Sequence, residues 1–193
     1  MAVKNIFISG VGGQGTILAG KVITTVLVNL GYDVKMSEVH GMAQRGGSVV
    51  TQIRYGEKVY SPLIEKGKAD VLLAFEKLEA VRYVEYLAPE GTLIVNDLEM
   101  PPASVLIGKE EYPADIVERL KEKIENMILV DAVGIAKECG EMRAQNMVLV
   151  GVLAKVMGWP KDALISVIRE VVPEKYVDVN ITAFERGWDM GVI

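Results

Sequence analysis

The sequence predicts a three-layer α/β/α fold, with a mostly parallel sheet followed by a helical last third. Three observations predict it. Short apolar runs alternate with helix-length segments through the first two thirds of the chain. A glycine-rich turn separates the first such run from the first helix. The last third carries helix-like segments that end at Gly140 and Gly158 or begin at Pro160, with no strand-like run among them.

Each element has a local reason. Residues 3–9 read as a buried parallel strand, with Val3, Ile6, Phe7 and Ile8 before Gly10. Residues 16–30 read as a helix that stops at Gly31, a natural residue just past a helix end. Residues 32–39 form a second strand with Val34 and Met36 on one face. Residues 48–55 form a third, rich in the β-branched Val49, Val50, Thr51 and Ile53. Tyr55-Gly56-Glu57-Lys58 predicts a hairpin turn into a strand at Val59-Tyr60-Ser61. A buried strand follows over 70–75, then a helix over 76–87 with Leu78, Val81 and Leu87 as its apolar stripe. Residues 91–96 are another strand, and Pro101-Pro102 marks a loop. Residues 113–126 predict a charged amphipathic helix whose solvated face holds Glu118, Arg119, Lys121, Glu122, Lys123 and Glu125. A last strand over 127–130 ends at Asp131. Helices are then expected over 132–139, over 144–157, from Pro160 and from Glu174. Nothing reads as a repeat or linker, so a single domain over 1–193 is expected. The helical third is either a layer on the sheet or an interface element.

Composition narrows the function. Half of the residues are hydrophobic and the mean hydropathy is +0.27, a hint of apolar surface covered by a partner. The net charge is −5 with no long basic run, and aromatic residues are sparse. Both features disfavour nucleic acid as a ligand. One cysteine, Cys139, rules out an intrachain disulfide and a cluster held by this chain's thiolates alone. With one histidine as well, a His/Cys zinc site within one chain is not credible. No signal peptide is visible, and no apolar run approaches the roughly 20 residues of a membrane span. The expected location is cytoplasmic.

Two segments carry chemistry. Gly10, Gly12 and Gly15, with Gly13, Gln14 and Thr16 beside them, fit G-x-G-x-x-G between a strand and a helix. Such a Rossmann-like turn lets the backbone approach a phosphate, and a helix N-terminus favours negative charge. The same residues also fit a tight turn that binds nothing. No Lys-Ser/Thr pair follows, which excludes a P-loop. The second segment runs from Glu38 through His40, Gly41, Gln44 and Arg45 to Gly46, Gly47 and Ser48. It puts several polar side chains between two apolar strands, with glycines that allow sharp bends. Glu38 stands where a dinucleotide fold places its ribose ligand. Arg45 can hold a carboxylate or phosphate, or pair with Glu38 to lock the loop. His40 is a candidate proton donor or a contact residue. Asn146, near the start of an apolar helix, fits either an exposed first turn or a contact to the first loop or a partner. No Ser/His/Asp set or Cys/His pair can be argued, so no catalytic residue is assigned.

Together the segments carry a resemblance. Gly10-Val-Gly-Gly-Gln-Gly15 and Glu38-Val-His-Gly-Met-Ala-Gln-Arg-Gly-Gly-Ser48 resemble the gamma-type subunits of 2-oxoacid:ferredoxin oxidoreductases. Residues 144–151 and 180–187 are similar to that family's C-terminal segments, so the likeness spans nearly the whole chain. Pyruvate and 2-oxoglutarate members tend to carry Tyr-Gly-Pro-Glu-x-Arg-Gly-Gly at the second loop. The version here is similar to the beta subunits of the indolepyruvate branch. The resemblance implies a heteromeric, anaerobic oxidoreductase of aromatic amino acid catabolism. An aryl pyruvate is decarboxylated on thiamine diphosphate, electrons pass through Fe–S clusters to ferredoxin, and coenzyme A captures the acyl group. Thiamine diphosphate and the clusters are implied on a larger alpha subunit, and this chain is implied to be inert alone. Its implied role is to cover the active site and help bind coenzyme A. The residues by themselves leave two alternatives: a stand-alone NAD(P)-binding oxidoreductase, or a non-catalytic assembly subunit.

Overall fold

The computed structural model describes residues 2–40 and 47–191, His40 by its backbone only. Six strands among them form one sheet: β1 (Lys4–Val11), β2 (Asp33–His40), β3 (Ser48–Gly56), β4 (Ala69–Ala74), β5 (Leu87–Asn96) and β6 (Met127–Val130), in the order β2-β3-β1-β4-β5-β6. Neighbours β1/β4, β4/β5 and β5/β6 run parallel. β3 is antiparallel to both β1 and β2. Five strands therefore point one way, and the mostly parallel sheet expected from the sequence is present. What local pattern did not reveal is that β3 sits between β1 and β2, splitting their βαβ unit. Strand pairing is set by partners far along the chain, which periodicity within a strand does not record.

Helices cover both faces: α1 (Thr16–Asn29), α2 (Lys77–Tyr83), α3 (Ala103–Leu106), α4 (Ile116–Lys123), α5 (Ala132–Glu138), α6 (Gln145–Val156), α7 (Lys161–Val171) and α8 (Val177–Met190). Alternation along β1 assigns the faces. Ile6 and Ile8 join the core built with α1 and α5–α8, whereas Phe7 joins the core built with α2 and α4. The C-terminal third is thus a layer on the sheet. Within it α6 is buried from Asn146 to Ala154 without a polar stripe, as expected of a helix covered on all sides. α8 crosses it backbone to backbone. A methyl group on Gly187 would lie 1.9 Å from the Val148 carbonyl oxygen, and one on Gly151 would lie 2.2 Å from that of Phe184.

Several local expectations are corrected. No strand forms at Val59–Ser61. The Val59 N–H donates to Asp33 Oδ2 at 3.0 Å, and the Arg54 guanidinium donates to the Ser61 and Leu63 carbonyls. Those bonds occupy groups a ladder would need. The helix expected over 76–87 ends at Tyr83, a 3₁₀ turn follows, and Leu87 already belongs to β5. Val81, assigned to its apolar stripe, is exposed. α4 is shorter than the charged helix expected over 113–126. A short helix, α3, follows the Pro101-Pro102 loop. A 3₁₀ turn over Glu174–Tyr176 precedes α8.

Candidate functional site

β1 and β2 end on the same side of the sheet, so the two glycine-rich segments emerge together. β1 hands over to α1 on one face, and β4 hands over to α2 on the other. The carboxyl ends of β1 and β4 therefore flank the switch point at which open α/β sheets bind ligands.

The first loop is built into this corner. Gly10 has no room for a side chain: a Cβ there would lie 2.9 Å from Gln14 Oε1 and 3.0 Å from Phe75 Cβ. Gln14 is 4 % exposed and faces inward. Its Oε1 accepts from the Val11 N–H at 2.7 Å, and its Nε2 donates to the Phe75 carbonyl at 2.9 Å. It is a strut from the loop to the end of β4. Asn96 donates to the same carbonyl at 3.1 Å from the end of β5. Gly15 closes the loop at φ 83°, in the left-handed region, as the residue before α1. Asn146, 2 % exposed, donates from Nδ2 to the Gly15 carbonyl at 3.2 Å. Of the two roles left open for Asn146, the structure has the contact to the first loop.

Gly13 is exposed and Thr16 is buried. Among the described residues no side chain caps α1. The backbone N–H groups of Gly13, Gly15, Thr16, Ile17 and Leu18 have no acceptor among the described residues. They are the unpaired donors that a helix start offers to an anion.

The two segments touch directly. The Gly12 N–H donates to the Gly47 carbonyl at 2.9 Å, and Val11 pairs with Ser48 in the β1/β3 register. Glu38 lies opposite Thr51 on the α1 face. Its Oε1 and the Thr51 hydroxyl are buried without partners among the described residues. Oε1 packs close to Gly20 of α1, one helical turn below the loop. Gly41, Gln44, Arg45 and Gly46 lie outside the described residues, as does the side chain of His40. The suggested Arg45–Glu38 lock falls there too.

On the α2 side of the corner is a polar cluster that the sequence did not flag. Glu79, 3 % exposed, accepts from Ser48 Oγ at 2.5 Å. Ser48 Oγ also lies 3.0 Å from Tyr83 Oη. Arg82 Nη1 is 3.5 Å from Glu79 Oε1. Burial pushes the Glu79 carboxyl above its ordinary value, and Glu76 adds to the rise. The Ser48 bond and Arg82 act against it. Glu76, 1 % exposed, caps α2 by accepting from the Glu79 N–H at 2.9 Å. It also accepts from the Met100 N–H at 3.1 Å and from Tyr112 Oη. The signal was present in the helix pattern. Glu76, Glu79, Ala80 and Tyr83 share one side at helical spacing, and a stripe anchored on Ala80 turns Glu79 inward.

Comparison with known proteins fits this architecture. The family model described as pyruvate ferredoxin/flavodoxin oxidoreductase matches residues 5–190. The chain belongs to this family. It is an oxidoreductase subunit of gamma type, as its two loops led one to expect. It is 42% identical to the indolepyruvate oxidoreductase subunit IorB of Pyrococcus horikoshii, covering 95% of this chain and 93% of that one. It is 40% identical to IorB of Thermococcus kodakarensis, with the same coverage of 95% and 93%. Among solved structures, the gamma subunit of a keto/oxoacid ferredoxin oxidoreductase from Geobacter sulfurreducens superposes with a TM-score of 0.73 at 25% identity, over 97% of this chain and 98% of that one. The fold also recurs in the 2-oxoglutarate:ferredoxin oxidoreductase of Magnetococcus marinus, with a TM-score of 0.76 at 20% identity. There it covers 99% of this chain and 31% of the longer one.

Proposed function

We propose that this chain is the small subunit of an indolepyruvate:ferredoxin oxidoreductase, and that its paired loops help bind coenzyme A over the active site of a larger alpha subunit. The complex carries out oxidative decarboxylation of aryl pyruvates to aryl-acetyl-CoA and passes the electrons to ferredoxin. The observation that carries the reading is the junction of the loops at the switch point. The Gly12–Gly47 bond joins them, and beside it the N–H donors of Gly13, Gly15, Thr16, Ile17 and Leu18 have no acceptors among the described residues. Such a row suits a phosphate group, and coenzyme A supplies several. The near-full-length likeness to IorB subunits supports the choice of substrate class.

In this reading, thiamine diphosphate and Fe–S clusters on the alpha subunit supply decarboxylation and electron transfer. The first-loop amides orient a phosphate, and Arg45 holds a phosphate or the oxoacid carboxylate. The chain works as one domain in the cytoplasm. The stand-alone dinucleotide reading draws little support from Glu38, because its Oε1 is buried against Gly20 of α1.

The test is co-expression with the large subunit and anaerobic, coenzyme A-dependent reduction of a viologen dye by indolepyruvate. Activity is expected only when both chains are present. Arg45→Ala is expected to raise KM for coenzyme A or the oxoacid about tenfold, the effect of losing one charge-assisted hydrogen bond, with assembly intact. Unchanged kinetics would remove that role from Arg45. Isolated protein that binds NAD(P) and gains nothing from the partner would overturn the proposal.

A further inference from the structure

We propose that Glu79 is a positioning residue for the first loop, acting through Ser48 and Gly47; the inference rests on the reading of that loop as a ligand site. The connection is continuous. Glu79 Oε2 holds Ser48 Oγ at 2.5 Å, Ser48 follows Gly47, and the Gly47 carbonyl holds the Gly12 N–H at 2.9 Å. Ser48 has one hydroxyl proton. A carboxylate is the stronger acceptor, so that proton goes to Glu79 and Tyr83 Oη donates to Ser48. Ser48 is thereby fixed from two sides by α2.

The arrangement is costly if it serves stability alone. A carboxylate this deeply buried loses its hydration. Arg82 stands 3.5 Å away and its side chain is 46% exposed, so it offsets that cost only in part. An apolar residue would pack α2 onto β1 without the cost. The carboxylate adds a directional bond to the residue that joins the second loop to the sheet. Gln14 braces the first loop against β4 and Asn146 braces it against α6. Glu79 supplies the third brace, from the opposite face. Three braces from three elements fix the row of amides in space, as a preorganised binding surface requires.

Two readouts test this in the assembled two-chain complex, for Ser48→Ala, Glu79→Ala and Glu79→Gln. The first is amide hydrogen exchange at Gly12. Ser48→Ala and Glu79→Ala are expected to speed it about tenfold, while Glu79→Gln, which keeps an acceptor oxygen, stays within about threefold of the parent. The second is steady-state kinetics. The same two alanine variants are expected to raise KM for coenzyme A about fivefold with kcat within about twofold, and Glu79→Gln is expected to restore it. Unchanged Gly12 exchange in Ser48→Ala overturns the inference, and this milder variant decides the matter if Glu79→Ala does not assemble. Faster exchange with unchanged KM upholds the positioning and overturns the reading of the loop as a ligand site. Equal loss in Glu79→Gln and Glu79→Ala overturns the role of the acceptor oxygen.

Discussion

Gln14 decides whether the first loop can exist in its observed form. One side chain satisfies a backbone N–H at Val11 and a carbonyl at Phe75, both within the buried corner. Gln14→Ala takes the side-chain acceptor from the Val11 N–H and leaves the Phe75 carbonyl to Asn96 alone, and a loss of about 1–3 kcal/mol is expected by denaturant melting. Gln14→Glu keeps the acceptor for Val11 but points an oxygen at the Phe75 carbonyl. Its midpoint is expected to recover as acid protonates the new carboxyl; a midpoint that does not move with pH would contradict the strut. Two native carboxyls respond to pH in opposite senses. The Lys35 ammonium bonded to Asp33, with the Val59 N–H, lowers the Asp33 carboxyl from 3.8 to about 2. Its stabilisation is complete above 3.8 and is lost as pH falls through about 2. The Glu79 carboxyl is raised from 4.5, chiefly by burial. Its native form binds the proton more tightly than the unfolded chain does, so stability falls as pH climbs from 4.5 to the raised value. Melting curves from pH 2 to 8 should show a shallower acid limb in Asp33→Asn and a shallower decline above pH 4.5 in Glu79→Gln.

The crossing of α6 and α8 is the least forgiving contact between elements. Gly151 and Gly187 each face the carbonyl of the other helix at a distance no Cβ can share. Gly187→Ala must push the helices apart, with an expected cost of about 1–3 kcal/mol or more; a neutral effect in thermal melting would mean the layer yields easily. Helix ends in this region were legible in the sequence because left-handed glycines mark them: Gly31, Gly140 and Gly158 all have positive φ. The strands were legible for the same local reason, their β-branched runs. The path of the chain from Gly56 to β4 was not, because Asp33 and Arg54 hold it from distant positions. The candidate site divides similarly. The glycine pattern announced the first loop, and Asn146 was suspected from a polar residue in an apolar helix. The inward turn of Gln14 and the link from Glu79 to Ser48 needed three-dimensional neighbours to be seen.

For the molecule as a whole, the apolar excess of the sequence appears in part as exposed side chains. Val39 is 57%, Leu106 74% and Ile107 65% exposed. Among the described residues no helix is long and apolar enough to cross a membrane. If the large subunit covers such surface, adding it should raise the melting temperature of this chain in a concentration-dependent way. About 2.7 kcal/mol of stabilisation is expected at a hundredfold excess over Kd; calorimetry showing no shift would argue against a stable complex. The topology of the sheet has one more consequence. β2 and β3 pair without interruption from Asp33↔Gly56 to His40↔Val49, so both stems of the second loop are held in register. The hairpin is a socket. Substitutions between residues 41 and 46 are expected to leave the β2/β3 register, and the strand that feeds the first loop, unshifted. The segment the socket holds is a replaceable cartridge, open to exchange without disturbing the turn between β1 and α1.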